Sequence, residues 1–456
     1  MARLLRRSRR RFGLIVVLAM LSGAVTTSAR ASAPTVTFSD SAGIHVVSVQ
    51  QLDQRDYNVE VLSSYLGRPL NVRVLLPTEY SSQPDEHYPV LYLFHGTSGR
   101  ASDWIDQGDA AATTSPYALI TVMPDVGFDG DGGFWFTNWV NASTSHGPSQ
   151  FESYLIDSLI PWIDLNLRTV PTRSGRAVAG LSQGGYGSAE MAARHPDLFA
   201  SLASFSGAPE IERDPEVFAG AVGIIEAIEV GEDHVPPFSE LGDPVVDQIN
   251  WEGHDPATLL TNLRGMSIYL WTGTGLDGPY DRTPNPFASA IEGAAYQSTQ
   301  HFYGHLVAAG IPAYYDNYVY GTHQFAYWAR DLREYVPRMM ADFTHPRNPS
   351  VISYTSIDSK WSQWGYQVSV VRAAPQEFSS LSEGTTAGFV FSGSGTATVT
   401  TPSEYEPGSK VVVTVNGTAG QTTQTGQVGP TGRVTVVIPL GKGGQARVGL
   451  QPQQSI

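Results

Sequence analysis

Ten residues, Val178-Ala-Gly-Leu-Ser-Gln-Gly-Gly-Tyr-Gly187, constrain this chain more than any other stretch. A small apolar run leads into Gly180-x-Ser182-x-Gly184, and a helical pattern from Ser188 to His195 follows. Glycines on both sides let the backbone turn sharply from strand to helix, which lifts the Ser182 hydroxyl to where it can be reached. That is the placement a serine nucleophile needs. The pentapeptide recurs by chance in a chain this rich in Gly and Ser, so its strand-turn-helix setting gives it its weight.

The surrounding pattern suits an α/β fold. Strands are expected at Leu70–Pro77, Tyr88–Phe94, Leu119–Pro124, Ser174–Ala179, Met266–Thr272 and Ala313–Tyr320, and helices at Phe151–Asn166 and Pro286–Ala309. Alternating strands and helices predict an α/β-hydrolase-like fold with a mostly parallel central sheet covered on both faces. Beyond His345-Pro-Arg-Asn-Pro349 the composition shifts to Ser, Thr, Gly and Val, with short alternating runs at Gly388–Phe391, Lys410–Val415 and Arg433–Ile438. A small C-terminal all-β, sandwich-like unit is expected there. All three lysines, Lys360, Lys410 and Lys442, fall in this tail. The expected division is therefore residues 34–346 for a catalytic domain and 350–456 for an accessory one.

Residues 1–31 read as a cleavable export signal: six arginines between Arg3 and Arg11, an apolar stretch from Phe12 to Ala24, and the small-x-small site Ala29-Arg30-Ala31. The run is short for a membrane span. Ser8-Arg9-Arg10-Arg11-Phe12 also resembles a twin-arginine signal, so the general secretory and twin-arginine routes are both open. The expected location is secreted or in the cell envelope. Losing the signal removes seven arginines and no acids, taking the formal charge from -15 to about -22. Such a surface opposes nucleic acid and anionic lipid. With no cysteine, thiol catalysis and Cys-ligated metal sites are excluded, and an exported chain must rely on its core rather than on disulfides.

A serine hydroxyl needs a base and a group that orients the base. His301, His305, His323 and His345 all follow the nucleophile; His301 and His305 share a helix face and His345 lies in the linker. His323 stands out in Tyr320-Gly-Thr-His-Gln-Phe-Ala-Tyr-Trp328, between a strand and an aromatic helical segment. For the acid, Asp277 and Asp281 occupy a loop just after a strand, where hydrolases commonly carry it, and position alone favours Asp277. Glu292, in an almost chargeless run, is a third candidate. The oxyanion donors expected are the backbone N–H groups of Gln183 and of Thr97, the latter in Phe94-His95-Gly96-Thr97-Ser98. His95 precedes the nucleophile and is read as shaping this loop. Trp135 and Trp139 are candidates for lining an acyl pocket. Asp125, Asp129 and Asp131 lack the spacing of a calcium loop, and neither a metal nor a cofactor is expected.

From about Tyr57 to Phe343 the chain resembles the esterase D-type α/β-hydrolases, and among them the secreted mycolyltransferases of mycobacterial and corynebacterial envelopes. The resemblance rests on Met123-Pro-Asp to Trp139, Phe151 to Trp162, Gly180-Leu-Ser182 with Ala193-Arg-His-Pro-Asp197, Gly273-Thr-Gly275, Ala290-Ile-Glu292 with Gln297–Phe302, and Gly321–Trp328. It implies that Glu292 is the triad acid and His323 the base, against the positional preference for Asp277. It also implies an acyl ester or glycolipid substrate, such as a trehalose ester. Two departures fall on the sugar-handling side: His95 stands where the family has an aspartate, and Phe325 where it has a tryptophan. Hydrolysis of acyl esters therefore rivals transfer to a sugar hydroxyl. A different class of reading is an idle hydrolase fold that contacts cell-wall glycan through Trp361, Trp364 and Tyr366 of the tail.

Overall fold

The computed structural model describes residues 36–127, 135–141, 147–212, 215–232, 235–418 and 420–453. The expected export signal, Asp129 and Asp131 lie outside them. Thr37–Ile456 is a single compact unit containing two sheets.

The first sheet has nine strands: β1 (Ile44–Gln51), β2 (Asp56–Ser63), β3 (Leu70–Leu75), β4 (Val90–Phe94), β5 (Ile120–Pro124), β6 (Arg176–Leu181), β7 (Ser201–Phe205), β8 (Ser267–Thr272) and β9 (Tyr314–Asn317), in the order β1-β2-β3-β5-β4-β6-β7-β8-β9. The pairs from β5 through β9 are parallel; β1, β2 and β3 continue the sheet antiparallel. Every residue of β4, β5, β6 and β7 is buried, as expected of strands covered on both faces. The helices include α1 (Gln183–Arg194), α2 (Gly223–Glu232), α3 (Pro286–Ala308) and α4 (Phe325–Thr344). The expected helix from Phe151 to Asn166 forms with one π-helical stretch, Tyr154–Leu159, in its middle.

The second sheet is wholly antiparallel. Its strands are β10 (Ile352–Ser356), β11 (Lys360–Gln363), β12 (Tyr366–Val371), β13 (Ser379–Thr385), β14 (Gly388–Thr400), β15 (Lys410–Gly417), β16 (Gly420–Gln427) and β17 (Thr435–Pro452). The long strands β14 and β17 pair along their length, with irregular register around Gly393 and Gly395. Irregularities of this kind bend a strand and let a sheet curl over its own core. One apolar cluster, including Tyr354, Trp361, Tyr366, Phe391, Val413 and Ile438, fills that core. Trp361 and Tyr366 are thus buried, at 8% and 2% exposure, which removes them as sugar-stacking surfaces.

Buried polar contacts join the two sheets. Tyr354 Oη donates to the Arg194 carbonyl at 2.7 Å, and Asn262 Nδ2 donates to both Ala193 O and Thr355 O at 2.9 Å. The Arg194 guanidinium bonds both oxygens of Glu152 and reaches Asp358 at 3.0 Å. Glu152, Glu190 and His254 cluster here with ligand atoms within 4.8 Å of one another. Arg194 supplies this cluster's positive charge. Burial would raise the Glu152 carboxyl, but Arg194 and His195 hold it well below the carboxylate range; burial raises Glu190, and burial with Arg194 lowers His254 to about 4.

Candidate active site

Ser182 sits between β6 and α1 with φ 54° and ψ -126°, a conformation a non-glycine residue adopts only under local constraint. The flanking glycines are required by close approach. A Cβ on Gly180 would lie 2.2 Å from Gly184 O, and one on Gly184 would lie 2.2 Å from His95 O. A larger residue at Gly180 would push α1 off β6, and one at Gly184 would push it off the end of β4. Ser182 precedes a twelve-residue helix, so negative charge developing beside it meets the positive end of the helix dipole.

His323 lies in the loop between β9 and α4. Its Nδ1 is 2.8 Å from Glu292 Oε2, and its ring stands edge-on to Trp328 at 4.8 Å. Glu292, on α3, has no exposure to solvent. Its other oxygen, Oε1, accepts from Ser206 Oγ at 2.8 Å, Thr272 Oγ1 at 3.1 Å and the Gly273 N–H at 2.7 Å. Ser206 Oγ in turn accepts from Trp328 Nε1 at 3.0 Å. A carboxylate surrounded only by donors is fixed in direction.

Ser182 and His323 open into one cavity of about 620 Å³. Thr97 lines one side, and its Oγ1 is buried without a hydrogen-bond partner among the described residues. Ile224, Ile225 and Ile228 of α2, with Phe287 and Ile291 of α3, form an aliphatic wall opposite, and Phe325 contributes to the rim. A narrow alcove of about 30 Å³ continues past Ser182 and Gln183 between Ala208, Ala221 and Ala295. Apolar walls with few polar groups are what an ester with a hydrocarbon acyl part requires.

Other candidates fall elsewhere. Asp277 is exposed, and no hydrogen bond joins it to His323, so the positional preference for it is corrected. Asp281 also leaves His323 alone. It accepts instead from Thr322 Oγ1 and Gln324 Nε2 on one oxygen, and from Tyr327 Oη and the Gly278 N–H on the other, at 2.5 to 2.6 Å. Its role in this geometry is to clamp the loop on which His323 rides. His95 is buried at 2% exposure, with Nδ1 2.7 Å from Gly96 O and Nε2 accepting the Val126 N–H at 2.8 Å. Asp125 Oδ1 lies 3.5 Å from the same Nε2; burial alone would lower the imidazole pKa, but Asp125 and the Gly96 carbonyl outweigh it and raise it, and the ring lies behind the Gly96–Gly99 loop rather than in the cavity lining. Trp135 and Trp139 are corrected too. Both are buried, Trp135 packs on Tyr186 and Trp251, and neither lines a cavity at Ser182. Ser206, Thr272 and the isoleucine wall escaped sequence reasoning; the Ile224-Ile225…Ile228 spacing on one helical face was the available signal.

Burial alone would raise the Asp281 carboxyl, but the donors on Thr322, Tyr327 and Gly278 outweigh it and hold it below the ordinary value. A lowered folded pKa contributes stability that is present above about pH 4 and lost as pH falls through the lower folded value. The His323 loop should thus stay clamped at neutral pH and loosen in acid. Asp281→Asn, which places an amide among four donors, is expected to lower kcat about tenfold at pH 7 and, by removing this carboxylate's stabilisation, to lower the melting temperature at pH 7 more than in acid. Unchanged kcat would show that the loop stands without this clamp.

A sheet of this topology with a serine at the β6–α1 elbow defines the α/β-hydrolase class. Residues 63–339 match the model of the family described as "Putative esterase", and the chain belongs to that family. Esterase Rv1288 of Mycobacterium tuberculosis is 33% identical over 292 residues, 63% of this chain; the matched region spans 59% of that relative's own length. The diacylglycerol acyltransferase/mycolyltransferase Ag85B of Mycolicibacterium smegmatis is 26% identical over 287 residues, covering 61% of this chain and 82% of its own. The crystal structure of M. tuberculosis MPT51 superposes with a TM-score of 0.52 at 24% identity, over 63% of this chain and 99% of that one, a likeness of fold. Among the described residues no helix is long and apolar enough to cross a membrane.

Proposed function

We propose that the protein is an exported serine carboxylesterase working through a Ser182–His323–Glu292 triad and an acyl-enzyme. The observation that carries this reading is the 2.8 Å contact of His323 Nδ1 with a buried, donor-saturated Glu292, in a cavity that Ser182 also lines. Ser182 Oγ attacks the ester carbonyl while His323 Nε2 takes its proton, and Glu292 stabilises the resulting imidazolium. The N–H groups of Thr97 and Gln183 hold the oxyanion. Collapse expels the alcohol, which receives the proton from His323; water activated by the same histidine then releases the acid and restores Ser182. The acyl chain runs along the Ile224–Ile225–Ile228 wall.

Kinship with a mycolyltransferase supports a second reading, in which a sugar hydroxyl replaces water as the acceptor. His95, buried and spent on backbone contacts, offers nothing to a bound sugar in the first cavity, which favours hydrolysis. Export by the residue 1–31 signal, to the medium or envelope, belongs to the same proposal. Incubation with a chromogenic acyl ester, with and without trehalose, tests the choice. Acid release independent of trehalose is expected; acyl-trehalose formed in preference to free acid would establish transfer, and failure of a fluorophosphonate to label Ser182 would end both readings.

A further inference from the structure

A second cavity of about 620 Å³ opens where the tail meets the hydrolase sheet, away from Ser182. We propose that it binds a neutral saccharide, with the Trp364 indole as its stacking surface. Trp364 occupies the first position of a two-residue hairpin between β11 and β12, with φ 53°, followed by Gly365 at φ 78°. Two-residue hairpins of this hand favour Asn, Asp or Gly at that first position, and a bulky residue there is strained. The strain is held by a hydrogen bond from the Trp364 N–H to Asp197 Oδ2 at 2.8 Å. Trp364 packs against the tail's apolar core but, unlike Trp361 and Tyr366, is only partly buried, and it lines the cavity beside Tyr366.

The polar lining selects the ligand class. Among the described residues, Asn348 Nδ2, Ser350 Oγ, Thr386 Oγ1 and the Glu404 carboxylate carry no hydrogen bond to protein, leaving donors and acceptors for sugar hydroxyls. The cation in the lining, Arg173, is spent: it donates to Pro196 O, Arg347 O, Asn348 Oδ1 and Gly265 O. Two acids, Asp197 and Glu404, against this one guanidinium leave the lining net negative, which opposes an anionic ligand. The Arg173 guanidinium lies 5.1 Å from the Trp364 ring centroid, so that ring already has a cation and a second is disfavoured. What remains compatible with one aromatic face, two acids and several hydroxyl and amide groups is an uncharged polyol ring, whose C–H face stacks and whose hydroxyls hydrogen-bond.

The test uses the full chain as Ser182→Ala, so that binding is read apart from turnover and survives failure of the esterase assignment. Calorimetry and tryptophan fluorescence with maltotriose and cellotriose are compared with glucuronic acid and choline. At least one neutral trisaccharide is expected to bind, and Trp364→Gly, at a backbone angle that suits glycine, should weaken it at least tenfold while the melting temperature holds. Glu404→Gln should weaken it several-fold. No binding of either neutral sugar, binding unaltered by Trp364→Gly, or stronger binding of glucuronic acid or choline would each overturn the proposal.

Discussion

Replacing Ser182 with alanine is expected to lower ester turnover by about 10⁴-fold or more, because its hydroxyl is the group proposed to form the acyl-enzyme. The substitution removes one oxygen and keeps the Cβ, so β6, α1 and the glycine contacts that shape the elbow are untouched. Melting temperature should therefore hold while fluorophosphonate labelling disappears. A residual rate within tenfold of the original would place the chemistry elsewhere. His323 is tied to the same cavity, so its loss cannot be additive with that of Ser182: residues acting as a unit fail together.

Glu292→Gln is the second large effect, about 10³- to 10⁴-fold in kcat. The reason lies on the far side of the carboxylate. Oε1 accepts three donors, from Ser206, Thr272 and the Gly273 N–H, so an amide there must keep its oxygen toward them. Its NH₂ then faces His323 Nδ1 and donates to it, which drives the ring proton to Nε2. A ring protonated on Nε2 cannot accept the proton of Ser182. Asp277→Asn, exposed and without a hydrogen bond to His323, should leave kcat within twofold. Equal losses in the two variants, measured as kcat on one soluble ester, would reverse the choice of acid.

The contrast between these acids marks how far the sequence could be read. β4, β5 and β6 were legible as largely apolar runs, and Ser182 was legible because its glycines sit beside it in the chain. The β1–β2 hairpin escaped notice: β1 exposes most of its residues and offers no apolar run. The expected strand Ala313–Tyr320 shortens to Tyr314–Asn317, because Val319 turns to φ 60°. In the tail, the short runs expected at Gly388 and Arg433 are parts of strands of 13 and 18 residues, continued through glycines that ordinarily signal turns. Local pattern also pointed to Asp277, since it records which residues follow a strand but not which side chains meet. Glu292 reaches His323 from the body of a helix 31 residues upstream; only family resemblance singled it out before the three-dimensional arrangement was in view. The clamp at Asp281 was invisible for the same reason.

The helix that begins beside Ser182 ends at the tail. α1 runs from Gln183, next to Ser182, to Arg194, a span of roughly 18 Å at the usual rise per residue. Its far end is anchored by Tyr354, Asp358 and Glu152. It therefore acts as a strut footed in the second sheet. A protease cut near residue 347 that released the tail would leave the far end of the strut unbraced, and the Ser182 hydroxyl at its tip would lose its aim before any residue around it had been changed.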